Sequence, residues 1–315
     1  MKVIVVGPGA LGCLLAAKLS RAHEVWLLDH DAERAECLAR SGVLLEEQGQ
    51  LLSCRLQATA DPYRIGAADL AVLCVKSHQI KKAMVTAAPA LRQVGLVLAL
   101  ANGIGHLEIL GDLCRGQCWG VGITSQGATL AGRGRVIHRG EGLTKIGLPP
   151  ASEIVATSAL SCQKLLAATA AAFTQAGIPT TVVDEVLPHL WGKLLVNVGI
   201  NALTAINDCP NGALLESPRL VALLTAAVQE GALVADKLGL RLPSDPVSDA
   251  LAVCRATAAN FSSMLQDVRN NRRTEIEAIN GAVVRLAEEL GVATPINLEL
   301  LGQVRELERD SHRPR

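Results

Sequence analysis

The stretch Lys2-Val3-Ile4-Val5-Val6-Gly7-Pro8-Gly9-Ala10-Leu11-Gly12 decides the fold. Four β-branched residues in a row stop at a glycine, the pattern of a strand buried on both faces. A Gly-x-Gly-x-x-Gly turn follows, and residues 10–20 read as a helix laid back along that strand. The three glycines have separate tasks: Gly7 makes the tight turn, Gly9 lets the backbone approach a pyrophosphate, and Gly12 lets the helix close on the sheet. Gly7, Gly9, Ala10, Leu11 and Gly12 are therefore candidate dinucleotide contacts, at the electropositive end of a helix. The second strand, 24–28, ends at Asp29, where an acid can accept from an adenosine ribose hydroxyl. The plainer reading makes Asp29 a turn or cap residue, with Arg34 and Arg40 as solvated charges.

Working outward, Asp31 caps a helix over about 32–40, and residues 43–58 alternate around Gln48-Gly49-Gln50 as a hairpin does. Buried strands are predicted at 69–75 and 95–100, with a helix capped by Ser77 between them and running to about Leu91. The glycine-rich segment 117–148 reads as antiparallel strands extending the same sheet. A helix over about 158–176 and a last strand over 178–183 complete this half. The alternation of strand and helix makes residues 1–183 an α/β unit, a Rossmann-type doubly wound sheet. After Asp184 the texture changes to long helices, punctuated by Ser217-Pro218, Asp245-Pro246 and Thr294-Pro295. Residues 184–315 are read as an all-helical substrate domain.

Composition excludes several function classes. The 315 residues carry 30 basic and 30 acidic side chains, and only 2% are aromatic. Balanced charge argues against nucleic acid and anionic membrane surfaces as partners, and scattered aromatics offer no base-stacking platform. No apolar run approaches the roughly 18 residues of a membrane span. Nine cysteines without a Cys-x-x-Cys pair read as free thiols in a reducing cytoplasm, and no metal centre is expected.

The chemistry-bearing residues fall at strand ends and on helix faces. Lys76 and Asn102-Gly-Ile-Gly105 stand at the carboxyl ends of two predicted strands, where open α/β sheets hold ligands. Lys193, Asn197 and Asn201 are spaced four apart, so one cation and two amides share a face of an otherwise apolar helix. Asn260, Ser263 and Asp267 repeat that pattern. Glu275 and Glu277 read by spacing alone as surface acids near a helix start.

These motifs, together with Asn207-x-Cys-Pro-Asn-Gly212, Ser262-Ser-Met-Leu-Gln-Asp267 and Thr274-Glu-Ile-Glu-x-Ile-Asn-Gly281, resemble the ketopantoate reductase family through nearly the whole chain, in order. The resemblance implies reduction of 2-dehydropantoate to pantoate on the route to pantothenate and coenzyme A. It makes Lys193 the general acid and Glu275 its supporting carboxylate. It places Asn102, Asn197, Asn201, Asn260 and Ser263 along the substrate, and Lys76 and Asn102 by the cofactor. No role for Asn211 follows from it. NADPH is the implied cofactor, yet Leu27-Leu28-Asp29-His30-Asp31 holds no arginine where such families often grip the 2′-phosphate, so NADH enters as a second candidate. A reductase of another 2-keto acid and a dinucleotide sensor without turnover are the alternative readings, and a homodimer is left open.

Overall fold

The computed structural model describes residues 1–149 and 159–311. These divide into two compact units, residues 1–101 with 106–186 and residues 102–105 with 187–315. The division therefore falls at 186/187 rather than 183/184, and Asn102–Gly105 leaves the sheet unit to join the helical one.

The first unit opens with β1 (Lys2–Val6), α1 (Ala10–Leu19), β2 (Glu24–Leu28) and α2 (Ala32–Ser41). Next come β3 (Val43–Glu47), β4 (Gln50–Cys54), β5 (Gln57–Thr59), β6 (Ala68–Leu73), α3 (Ile80–Leu91) and β7 (Val94–Ala99). It closes with α4 (Leu107–Leu113), β8 (Trp119–Thr124), β9 (Gly127–Gly132), β10 (Arg135–Gly140), β11 (Thr144–Gly147), α5 (Ala159–Gln175) and β12 (Thr180–Val182). The described residues form an eight-stranded sheet in the order β12-β11-β8-β7-β6-β1-β2-β5. The run from β8 to β5 is parallel throughout, and β11 joins it antiparallel. Val3, Ile4 and Val5 on the central strand are wholly buried, as a strand covered on both faces must be.

Only part of segment 117–148 extends that sheet. β9 and β10 instead join the β3–β4 hairpin in a second sheet, ordered β4-β3-β10-β9. The reason lies in α1. Every residue from Gly12 to Leu19 is buried, so its far side also needs cover, and β3, β9 and β10 pack there. Lys18 is buried with it. Its ammonium lies 2.6 Å from Glu47 and donates to the Gly177 carbonyl at 3.1 Å. Burial alone would push Glu47 up, but Lys18 and His138 hold it below the usual carboxylate range.

Two further expectations are corrected. Cys118 and Cys162 form a disulfide, so these two are not free thiols. Helix α7 (Pro218–Lys237) is apolar and long enough to cross a membrane. Its Leu224, Ala227, Val228 and Val234 are instead buried in the second unit, and its Glu230 works inside that unit.

The second unit holds α6 (Val186–Ile206) from Leu187 onward, then α7, α8 (Pro246–Ala256), α9 (Ser263–Arg269), α10 (Asn280–Leu290) and α11 (Pro295–Ser311). Ser217, Asp245 and Ser262 each accept a backbone N–H at their helix starts. At α11 the cap comes from another helix: Glu230 accepts from the N–H groups of Ile296 at 2.9 Å and Asn297 at 3.0 Å. Asn297 donates to Glu230 at 2.8 Å and to the Ala227 carbonyl at 2.9 Å. It also accepts from Asn280 at 3.0 Å, and Asn280 reaches the Val198 carbonyl at 3.3 Å. This buried network ties α6, α7, α10 and α11 together. Asn297→Leu would strand one Asn280 N–H and take a donor from the Ala227 carbonyl and from Glu230, and is expected to lower unfolding free energy by about 3 kcal/mol. Urea unfolding of the variant beside the wild type checks this, and a loss below about 0.5 kcal/mol would show that the network does not hold the bundle.

Candidate active site

The glycine turn shows which of its residues serve the fold. Gly7 has φ +97°, and a Cβ there would lie 2.5 Å from Val75 Cγ1. A Cβ on Gly12 would fall 2.0 Å from the Gly7 carbonyl oxygen. Both are demanded by the chain itself. Gly9 is not: it is exposed, its φ is ordinary at −72°, and the nearest atom to a Cβ would be 3.9 Å away. The room kept open by Gly9 lies beside the start of α1, where Ala10 and Leu11 belong to the first turn with its unbonded N–H groups. This cradle fits a pyrophosphate. The adjoining cavity is lined by Gly7, Asp29, His30, Gln79, Lys82 and Thr86, among others.

Asp29 is buried, and both its oxygens are taken by Arg34. Nη2 donates to Oδ1 at 2.6 Å and Nε donates to Oδ2, while His30 Nδ1 stands 3.3 Å from Oδ1. Arg34 is thus no solvated charge. Asp29 holds its guanidinium more firmly protonated still. Lys76 follows β6, half-buried, and its N–H donates to Gln79 Oε1 at 3.3 Å.

In the second unit, α6 is a regular helix across Lys193, Asn197 and Asn201, so the three share one face. Leu194, Leu195, Val198 and Ile200 around them are buried. Lys193 Nζ donates to Asn102 Oδ1 at 3.1 Å, and Asn102 Nδ2 donates to Glu275 Oε2 at 3.0 Å. Lysine can only donate and a carboxylate can only accept, so the amide has one orientation. Gly103 makes the approach possible. Its φ is +79°, and a Cβ would lie 2.2 Å from the Ala278 carbonyl oxygen, in the helical turn after Glu275.

Burial pulls the Lys193 pKa below the usual lysine value, and the Glu275 carboxylate pushes back. Glu275 itself is buried, against the surface reading of its spacing. Glu277 is the surface acid: Arg305 binds it through Nε at 2.6 Å and Nη2 at 2.9 Å and, with Arg285, holds it below the usual carboxylate range.

The helical pattern at 260–267 is corrected. Asn260 lies in the segment before α9, which begins only at Ser263, so the two do not share a helix face. Asn260 and Ser263 are exposed, whereas Asp267 is buried. The side chains of Asn197, Asn201, Asn260 and Ser263 make no hydrogen bond among the described residues. Sequence reasoning missed Arg34 as the partner of Asp29, and missed that Asn102 is engaged at both ends of its amide. An arginine five residues after a strand-end acid was the only available sign of the first.

The profile described as "Ketopantoate reductase PanE/ApbA" matches residues 3–151, and that described as "Ketopantoate reductase PanE/ApbA C terminal" matches 185–308. A 2-dehydropantoate 2-reductase of Halobacterium salinarum is 37% identical, covering 98% of this chain and 100% of the relative. One from Vibrio cholerae is 35% identical, covering 98% of each. Among solved structures, a PanE/ApbA family ketopantoate reductase from Ralstonia eutropha superposes with a TM-score of 0.88 at 32% identity, over 99% of this chain and 100% of that one. A D-mandelate dehydrogenase bound to NADH and anilino(oxo)acetate also gives 0.88, at 27% identity with the same coverage. By full-length likeness this chain belongs to the ketopantoate reductase family, and it is an oxidoreductase.

Proposed function

We propose that this enzyme reduces 2-dehydropantoate to pantoate with NADPH as preferred reductant, and that Lys193 is the proton donor. The observation that carries the reading is the chain Lys193–Asn102–Glu275, with Asn197 and Asn201 on the Lys193 face of α6. When bound, the nicotinamide supplies a hydride to the keto carbon. The C=O π pair then moves onto oxygen, and an ammonium placed there stabilises the charge and gives up a proton. Lys193 ends the step as a neutral amine and is reprotonated from solvent. Asn102 accepts one of its N–H groups and so aims the ammonium. The substrate carries one carboxylate, one keto oxygen and one hydroxyl. Asn197, Asn201, Asn260 and Ser263 supply amides and a hydroxyl to match them.

The likeness to D-mandelate dehydrogenase favours a second reading, a 2-keto acid with an aromatic side chain. The amide-rich set here suits a hydroxyl better than a phenyl ring. Rates with 2-dehydropantoate beside benzoylformate and other 2-keto acids decide between them, and turnover of none would make the chain a dinucleotide sensor. We place the activity in the cytoplasm, where the nicotinamide pool is regenerated.

For the cofactor, the carboxylate of Asp29 is neutralised by Arg34, and His30 and Lys82 line the same cavity. A 2′-phosphate there meets cations rather than a bare acid. Arg34→Ala is expected to lower kcat/KM for NADPH by about tenfold or more while changing NADH less, since a charged hydrogen bond is worth about 1.5–3 kcal/mol. Equal losses with both cofactors would sink this assignment.

Lys193→Ala should lower kcat at least ~10²-fold, with dinucleotide binding retained. The pH profile follows from the same group. The acid must be protonated, so kcat/KM falls as pH rises through the Lys193 pKa, which lies below the usual lysine value. Glu275→Gln removes the charge that raises that pKa, so the alkaline limb should move to lower pH. An alkaline limb that stays in place in this variant would detach Glu275 from Lys193.

A further inference from the structure

The motif Asn207-Asp208-Cys209-Pro210-Asn211-Gly212 follows directly on α6, and none of its own residues has a role in the reading above. Its neighbours give it a task. Asn211 is buried, and its Nδ2 donates to Thr257 Oγ1 at 2.8 Å. Its backbone N–H donates to the Asn260 carbonyl at 2.9 Å, and that of Gly212 donates to the Ala258 carbonyl at 3.0 Å. The two segments are in direct contact, since a Cβ on Gly212 would lie 2.6 Å from Ala258 Cβ.

Two more fastenings flank this one. Asp208, held at φ +46°, accepts from Arg269 Nε at 2.7 Å, and the Arg269 guanidinium stands 4.3 Å from the Phe261 ring centre. Thr204, in the last turn of α6, donates to Ser262 Oγ at 2.7 Å. Residues 257–262 have no regular structure to fix them, yet they present Asn260 and lead into Ser263. What fixes them is the end of α6 and the loop after it. The same helix carries Lys193, Asn197 and Asn201.

The Asn211 side chain is costly to keep. Its Oδ1 is buried without a hydrogen-bond partner among the described residues. Leucine would fill similar volume without that cost, so the value of the amide lies in its Nδ2 bond to Thr257.

We propose that Asn211 is a positioning residue for substrate binding. Through Thr257 and the Asn260 carbonyl it sets Asn260 and Ser263 against Asn197 and Asn201, and so sets affinity for the keto acid without touching it. The proposal rests on the reading of Asn260 and Ser263 as substrate contacts. Lys193, Asn102 and Glu275 are held by other contacts, at Gly103 and Ala278, so the chemical step is insulated from this clamp.

Steady-state kinetics on the full-length enzyme tests it, using wild type, Asn211→Ala, Thr257→Val, Thr257→Ser and the Asn211→Ala/Thr257→Val double variant. Asn211→Ala and Thr257→Val should each raise KM for the keto acid about tenfold, with kcat within about threefold and KM for NADPH unchanged. The double variant should be no worse than Thr257→Val, because each single removes the same Asn211–Thr257 bond and the valine also gives up the bond to the Val253 carbonyl. Thr257→Ser keeps the acceptor and should restore the wild-type KM. Should Asn211→Ala fail to fold, the Val and Ser variants at 257 carry the comparison alone. An unchanged keto-acid KM, a parallel loss of kcat and NADPH affinity, or a serine variant as weak as the valine one would overturn the proposal. Wild-type turnover of 2-dehydropantoate tests the function itself. The KM ratios are measured on whichever 2-keto acid the wild type reduces, so a wrong substrate leaves the clamp testable, and a wild type that reduces none overturns both.

Discussion

The amide of Asn102 lies between a group that only donates and a group that only accepts, 3.1 Å from Lys193 Nζ and 3.0 Å from Glu275 Oε2. A carboxylate at 102 would pair with the lysine but repel Glu275, and a cation would do the reverse. A neutral amide satisfies both. The ammonium feels the carboxylate through the same arrangement. Burial pulls its pKa down, and the negative charge holds it up. All of this depends on Gly103, whose missing side chain lets the segment 102–105 press against Ala278. That segment belongs to the helical unit, though the strand β7 that leads into it belongs to the sheet unit.

The first unit handles its buried charges by direct pairing. Lys18 meets Glu47, and Asp29 meets Arg34 in a bidentate pair. A lone carboxylate at 29 would cost a nearby phosphate up to about 4 kcal/mol at ~4 Å near a protein surface. Paired, Asp29 contributes almost no net charge, and its oxygens serve to aim the guanidinium. Asp29 is thus also the support of an arginine, whatever else its oxygens accept.

Local pattern and long-range pairing were unequally legible in the sequence. The stripe Lys193, Asn197, Asn201 could be read directly, because a helix fixes spacing four apart onto one face. So could the glycine turn, the proline-marked helix starts and the β3–β4 hairpin, all set by residues close in sequence. The second sheet could not, because β10 pairs with β3 across about ninety residues and nothing local distinguishes it from a strand of the main sheet. The same holds for the Cys118–Cys162 bond and for Asn102, whose partners lie 91 and 173 residues away. Asn260 was misread for a different reason: its spacing to Ser263 mimics a helix, but the Ser262 cap starts α9 after it.

The second unit sorts its polar side chains into two kinds, and the sorting carries functional meaning. Asn297 bonds through both ends of its amide inside the helical bundle, and Asn280 bonds through its nitrogen. Asn102 does the same at Lys193, and Asn211 bonds through its nitrogen to Thr257, in the segment 257–260. Asn197, Asn201, Asn260 and Ser263 have no partner among the described residues. A polar side chain with unmade hydrogen bonds is tolerated where water or a ligand completes it, and Asn201 is nearly buried at 5% exposure. Groups of the first kind are fixed by the protein before any ligand arrives. On the proposed reading, the ordering cost of donors and acceptors set in such a frame is met on folding rather than on binding.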